Sequence, residues 1–376
     1  MFLKSYKSMY IDSINRKNNY HLSIVKDDLG ITEYYVIKYS ILPENITSLS
    51  FSSSFNEPLE ASQLPPHLKC LKLHLTYLEH GIRPGVLPIT LESLYLSGSL
   101  VHPLEPGVLP SSLKYLSFES DHILKVGSLP PNLEEFTFGR IDSSRKPSRV
   151  DDGVLPLTLR KLTAPVSWLP SIKSLSNLKS LTLQDADKDK IDLSYLPCSL
   201  TELNILSGGQ LISTMPPTIR YLDLIDTPFD TDEIFIDRSQ YHFEYLSVNE
   251  SKVESLQEFF LDTQTLPITL QELEIDDYYK NDRDIILNSN DFPSSLQSLK
   301  IPSLVLPQPR IPNNLLLTPL QSYFKKIWLR RLGNHHYLFF NEEQNFLSAI
   351  VHESDISNIF HFCKSTHSLP SYNKTE

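Results

Sequence analysis

Apolar residues in this chain do not recur at the spacing of a helix face. They recur in a phrase, L-P-x-x-L-x-x-L-x-L, whose closing positions alternate between apolar and variable. It reads LPPHLKCLKL at 64–73, LPITLESLYL at 87–96, LPSSLKYLSF at 109–118, LPPNLEEFTF at 129–138 and LPITLQELEI at 266–275. An alternating close predicts a very short strand with its Leu side chains on one side. The second Leu position falls at Ile46, Leu68, Leu91, Leu113, Leu133, Leu159, Leu178, Leu200, Ile219, Phe243, Leu270 and Leu296. That makes twelve copies, spaced 19 to 27 residues apart with a median of 22. The copies around Leu178 and Phe243 lack the Leu-Pro start.

One such strand cannot bury its apolar side, but stacked copies cover one another. Pro has no N–H and a fixed φ, so it suits the corner before a strand and not the strand itself. Connecting segments such as SGSLVHPLEPGV (97–108) hold Pro, Gly and Ser and predict turns and extended pieces with few helices. The pattern therefore predicts a repeat solenoid, with parallel strands on one face and irregular, turn-rich connections. A period of 22 lies within the range of about 20–29 residues of leucine-rich repeats.

The ends depart from the phrase. ITEYYVIKY (31–39) predicts a strand ahead of the first coil, and KKIWLRRL, HYLFF and FLSAIV predict three more after the last. SDISNIFHFC (354–363) predicts a short helix with Ser354 as its N-cap. Both ends are expected to be caps, because an open solenoid end exposes apolar surface. The expected division is a cap at 1–41, repeats at 42–312, a β-rich cap at 313–365 and a disordered tail at 366–376.

FNEPL (55–59), followed by LPPHLKCLKL, resembles the FNIP repeat, a 22-residue relative of the leucine-rich repeat found in cellular slime moulds and giant viruses. The resemblance covers roughly 42 to 301, and the Leu-Pro-x-x-Leu core carries it. Phe-Asn-x-Pro is clear once; at 101–104 it reads VHPL. The resemblance implies a solenoid used as a binding scaffold. Some family members carry an F-box or a kinase domain. The first forty residues here are short and polar for an F-box, and no H-R-D or D-F-G triplet occurs.

Alternation sends the residues flanking each inward Leu to the outside. On that ground Tyr95, Tyr115, Thr137, Lys161, Glu202, Asn204, Tyr221, Asp223, Tyr245, Glu272 and Glu274 are candidate partner-binding positions. They either form an interface with Tyr anchors or a solvated sheet face with routine cross-strand pairs.

The formal net charge is −11, which argues against a general nucleic-acid binder. Between Asp185 and Asp284 there are 22 acidic and 7 basic residues, so this segment either steers a basic partner or keeps loops soluble. Cys70, Cys198 and Cys363 are far apart and lack zinc spacing, as expected of reduced thiols in the cytoplasm. No apolar stretch has signal-peptide or membrane-spanning length. Asp185, Asp187 and Asp189 mimic the start of a calcium loop, but Lys190 stands where that loop needs Gly. His335, His336, His352 and His367 around HFC (361–363) match no zinc pattern. Phosphate loops, G-x-S-x-G and Rossmann glycine patterns are absent.

The expected function is a non-enzymatic interaction scaffold that binds a protein partner on its strand-lined face. No cofactor, metal, nucleic acid or membrane is expected to take part. Two rivals are an adaptor for ubiquitin ligation through a degenerate F-box-like N-terminus, and an enzyme with its site in 315–365 around His336 or His352.

Overall fold

The structure is a computed structural model. It describes residues 8–15, 19–25, 32–38, 46–51, 59, 64–78, 81–100, 102–119, 122–139, 149–184, 190–206, 208–224, 227, 234–235, 240–249, 267–276, 293–301, 315–319, 327–333, 335–341 and 347–355. The chain divides into two units, Met1–Thr201 and Glu202–Glu376.

The first unit opens with β1 (Ser8–Asn15), β2 (Asn19–Val25) and β3 (Thr32–Lys38), joined as an antiparallel meander. Six parallel pairings then connect β4 (Ser48–Phe51), β5 (Cys70–Leu78), β6 (Ser93–Leu100), β7 (Tyr115–Glu119), β8 (Glu135–Gly139), β9 (Lys161–Pro165) and β10 (Ser180–Gln184) in chain order. β1 lies parallel to β4 and covers its free edge, which would otherwise present unpaired backbone groups. A short strand, β11 (Lys190–Asp192), follows.

The second unit holds β12 (Glu202–Ile205), the short β13 (Gln210–Ile212), β14 (Tyr221–Leu224), β15 (Tyr245–Asn249), β16 (Glu272–Asp276), β17 (Ser298–Ile301) and β18 (Leu316–Pro319). All but β13 pair in parallel, one coil to the next. β19 (Ile327–Arg331), β20 (His336–Asn341) and β21 (Leu347–His352) then turn antiparallel and close this end. Glu353–Asp355 form a 3₁₀ turn. The helix expected at 354–363 and the tail expected from 366 lie outside the described residues beyond 355.

Among the described residues a strand begins two residues after each of the twelve motif positions, seven times in the first unit and five in the second. The physical cause is visible in the corner. The Pro carbonyl accepts the amide of the motif Leu three residues on: Leu68 to Pro65 at 3.1 Å, Leu113 to Pro110 at 3.1 Å and Leu270 to Pro267 at 3.0 Å. The next two amides both donate to one carbonyl of the preceding coil, as Lys69 and Cys70 do to Thr47 at 2.8 and 2.9 Å. The motif therefore ends a turn and begins a ladder in three residues.

A second corner serves β6 to β9. Arg83, Glu105, Lys125 and Asp151 each accept the amide three residues on, at 3.0 to 3.3 Å, with Gly85, Gly107, Gly127 and Gly153 at φ between 79° and 85° in the third turn position. A positive φ there is the signature of a type II turn and accounts for Gly at that place.

The core is the stack of motif side chains: Leu71, Leu94, Leu116 and Leu162 in the first unit, and Leu203, Leu222, Leu273 and Leu299 in the second, are fully or almost fully buried. In the first unit Phe118, Phe136, Phe138 and Trp168 form an aromatic cluster with ring centroids 4.7 to 6.2 Å apart. Trp168 comes from a coil whose corner is helical: Val166–Trp168 is a 3₁₀ turn and Leu169–Ile172 is α1. Pro170 in the first turn of α1 suits that start, since its missing N–H has no helical partner there.

Candidate functional site

Each coil strand offers its first and third residues to the side away from the core, and the ladder register turns these into two rows. In the first unit one row runs Cys70, Ser93, Tyr115, Glu135, Lys161 and Ser180, and the other Lys72, Tyr95, Ser117, Thr137, Thr163 and Thr182. Tyr95 and Tyr115 stand diagonally, ring centroids 4.6 Å apart, with the Lys72 ammonium 5.0 Å from the Tyr95 ring. Burial and the neighbouring Tyr115 raise the Tyr95 phenol above its ordinary pKa.

The residue before each strand makes a third row, which the alternation argument missed because it counted only strand positions. In the first unit this row reads Lys69, Glu92, Lys114, Glu134, Arg160 and Lys179. Lys69 meets Glu92 at 2.9 Å and Arg160 meets Glu134 at 3.9 Å. The Lys69 hydrogen bond and charge, with a lesser effect of Lys114, hold the Glu92 carboxyl below its usual range. Two ion pairs thus form along this row, and Lys114 adds its charge to the first.

The second unit is composed differently. One row reads Glu202, Tyr221, Tyr245, Glu272 and Ser298; the other reads Asn204, Asp223, Ser247, Glu274 and Lys300. All seven candidates from this half of the chain therefore fall on four successive coils. Arg220 and Glu244 belong to the row before the strands. The Tyr221 hydroxyl donates to Glu244 Oε2 at 2.9 Å, and the Tyr245 hydroxyl to Glu274 Oε2 at 3.2 Å. Lys300 Nζ also reaches Glu274 Oε2, at 2.8 Å. Arg220 donates to the His242 carbonyl at 3.2 Å.

Burial first, then the Glu274 and Asp223 carboxylates, push the Tyr245 phenol well above its ordinary range. Tyr221, 45% exposed, is raised by its hydrogen bond to Glu244 and by that carboxylate's charge. An unfolded tyrosine ionises near pH ~10. Below that pH both states keep the proton, so nothing is gained or lost. Above it the unfolded chain releases protons that the folded chain retains, and stability falls. Urea midpoints are expected to hold steady from about pH 8 to 9.5 and to drop above about 10, less steeply in Tyr245→Phe. An equal slope in that variant would show that other groups govern the alkaline limb.

The described members of the remaining sequence candidates make local pairs. His335 Nδ1 lies 3.1 Å from Glu353 Oε2, and His352 Nδ1 lies 2.9 Å from Ser354 Oγ. The rings of His335 and His336 lie 5.7 and 5.5 Å from that of His352, and all three are exposed. Among the described residues no group of three or more His, Cys, Asp or Glu is placed to hold a metal ion. Asp185, Asp187, Asp189, Cys363 and His367 lie outside the described residues. The described part of 1–41, where an F-box-like segment was weighed, consists of β1 to β3. No helix among the described residues is long and apolar enough to cross a membrane.

The family model FNIP Repeat matches residues 37–76 and 79–121. No curated protein matches the chain. Among solved structures, it is similar to CroV588, described as a novel circular leucine-rich-repeat protein, at 22% identity and TM-score 0.42, covering 74% of this chain and 40% of that one. It is also similar to YopM from Yersinia enterocolitica WA-314, at 24% identity and TM-score 0.43, covering 74% and 60%. A third is an internalin (inlF) from Listeria monocytogenes str. 4b F2365, at 16% identity and TM-score 0.39, covering 68% and 74%. The chain thus spans less than two thirds of the first two. Its parallel-strand coils form a leucine-rich-repeat-like solenoid, and the chain contains FNIP repeats at residues 37–76 and 79–121.

Proposed function

We propose that the chain is a non-enzymatic scaffold that binds a protein partner on its strand-lined faces. The observation carrying this reading is the ordered display itself. Tyr95 and Tyr115 in one unit, and Tyr221 and Tyr245 in the other, stand on strand rows beside half-exposed polar groups. Tyr combines a rigid apolar ring with a polar tip, which is why it is enriched at interfaces. The net charge of −11 supports a protein partner over nucleic acid. A reducing compartment such as the cytoplasm belongs to the same reading, supported by the free thiols of Cys70 and exposed Cys198.

The test is affinity capture with wild type and with Tyr95→Ala/Tyr115→Ala/Tyr221→Ala/Tyr245→Ala, after melting curves show both folded. A partner held by wild type and lost from the folded variant is the expected result. Retention of the same partners by both proteins would remove the strand rows from consideration.

A further inference from the structure

The two units treat charge in opposite ways. In the first, basic and acidic residues interleave along the row before the strands, and Lys69 pairs with Glu92 and Arg160 with Glu134. In the second, Glu202, Asp223, Glu244, Glu272 and Glu274 share the face with Lys300 and Arg220. Lys300 is spent on Glu274, and Arg220 bonds a backbone carbonyl. Glu202 and Glu272 form no ion pair among the described residues and flank Tyr221 and Tyr245 in their row.

The hydrogen bonds that reach Glu244 and Glu274 from tyrosine are neutral ones. A phenol O–H fixes a carboxylate's direction without cancelling its charge. Both phenols, and Lys300, use Oε2, and no donor among the described residues bonds Oε1 of either Glu. An independent feature lies on the neighbouring row. Ser247 sits between Asp223 and Glu274 in the register and is 0% exposed; its hydroxyl is turned toward the Tyr245 phenol, without a close hydrogen bond among the described residues. A buried hydroxyl without a full hydrogen bond costs stability, so this row is short of donors.

We infer that this face of the second unit, from Glu202 to Lys300, docks an arginine-bearing basic segment of the partner; the inference rests on the reading of the strand faces as partner-binding. Arginine fits better than lysine for three reasons. Its planar fork matches oriented carboxylates, it stacks on tyrosine rings, and it offers several N–H groups to acceptors on adjacent rows. Five strands at ~4.8 Å span about 19 Å, the reach of some six extended residues.

The probe is a fluorescein-labelled peptide, Gly-Arg-Ser-Arg-Ser-Arg-Gly, titrated with the full chain by fluorescence polarisation in moderate salt. Lysine and citrulline versions serve as comparisons, since citrulline keeps the shape of arginine without its charge. Glu202→Gln/Glu272→Gln removes two carboxylates that no hydrogen bond or ion pair among the described residues uses, and Asp151→Asn/Asp152→Asn removes the same charge from an exposed turn in the first unit. The arginine peptide is expected to bind at least about tenfold more tightly than the citrulline one, with the lysine peptide between them. Affinity should fall about tenfold in the Glu variant and less than about twofold in the Asp variant. Equal losses in both would reduce the effect to general charge attraction and overturn the site. So would self-association of the wild type that only the Glu variant abolishes, because the face would then belong to a second copy. If the peptide fails to bind while the tyrosine variant still loses its captured partner, arginine recognition falls and the scaffold reading stands. If capture is unchanged as well, both fall.

Discussion

Leu116→Asp is expected to dismantle the first unit's stack around β6 to β8, while Ser117→Asp, one residue along, leaves it standing. Leu116 is 0% exposed and lies in register between Leu94 on one coil and Phe136 on the next. Truncation to Ala would remove contacts with both neighbours at once and cost about 3–5 kcal/mol. An aspartate there adds an unpaired carboxylate with no donor in reach of an apolar stack, a cost of several kcal/mol beyond the cavity. Ser117 points the other way, onto the half-exposed row, so a charge there is hydrated and should cost less than about 1 kcal/mol. Urea denaturation followed by circular dichroism separates the cases. If Leu116→Asp kept the wild-type midpoint, the leucine stack would not be what holds these coils together.

The contrast between Leu116 and Ser117 is also what made the fold legible in the sequence. Period-two alternation assigns one residue to the core and the next to solvent, and it does so at every copy, so the strand starts and the inward leucines could be read directly. Elements outside the phrase were harder. β1 and β2 carry no Leu-Pro corner, and β18 (Leu316–Pro319) follows Pro312 by four residues where other coils have five, and ends on a further Pro. The connections in general read as turns and extended pieces with few helices, and the phrase did not single out Val166–Ile172, which is helical, with Pro170 in the first turn of α1.

A polar regularity also went unread. The residue before the motif Leu is often Ser, Thr or Asn, and its side chain donates to the preceding coil. Thr90, Ser112, Thr158, Ser199 and Ser295 bond the motif carbonyls of Leu68, Leu91, Leu133, Leu178 and Leu270 at 2.7 to 2.9 Å. In the linear phrase that position is a variable one; its role exists only once coils are stacked some 22 residues apart. The site followed the same rule. Which residues share the outer rows was readable from alternation, but not that Tyr221 turns to Glu244 and Tyr245 to Glu274, nor that Lys69, Glu92 and Lys114 become adjacent. Those depend on register and side-chain direction between coils, which one strand's sequence does not carry.

Trp168→Ala is expected to be the second most damaging change, for a reason specific to its coil. Trp168 is 2% exposed, with its ring 4.7 Å from Phe138 and 6.2 Å from Phe136. Those two rings in turn pack on Phe118, at 5.3 and 5.6 Å. A short helical corner thus supplies the side chain that fills the space beneath two phenylalanine-bearing coils. Removing the indole should cost about 3–5 kcal/mol, from lost apolar burial and from a void that the close-packed rings cannot collapse into. Trp168→Phe keeps an aromatic body and should recover more than half of that loss. Urea denaturation followed by circular dichroism should show a transition shifted to lower denaturant in Trp168→Ala, with Trp168→Phe between it and wild type. An unshifted transition would mean that the helical corner lies against the coils without holding them, and that the leucine stack carries this part of the unit by itself.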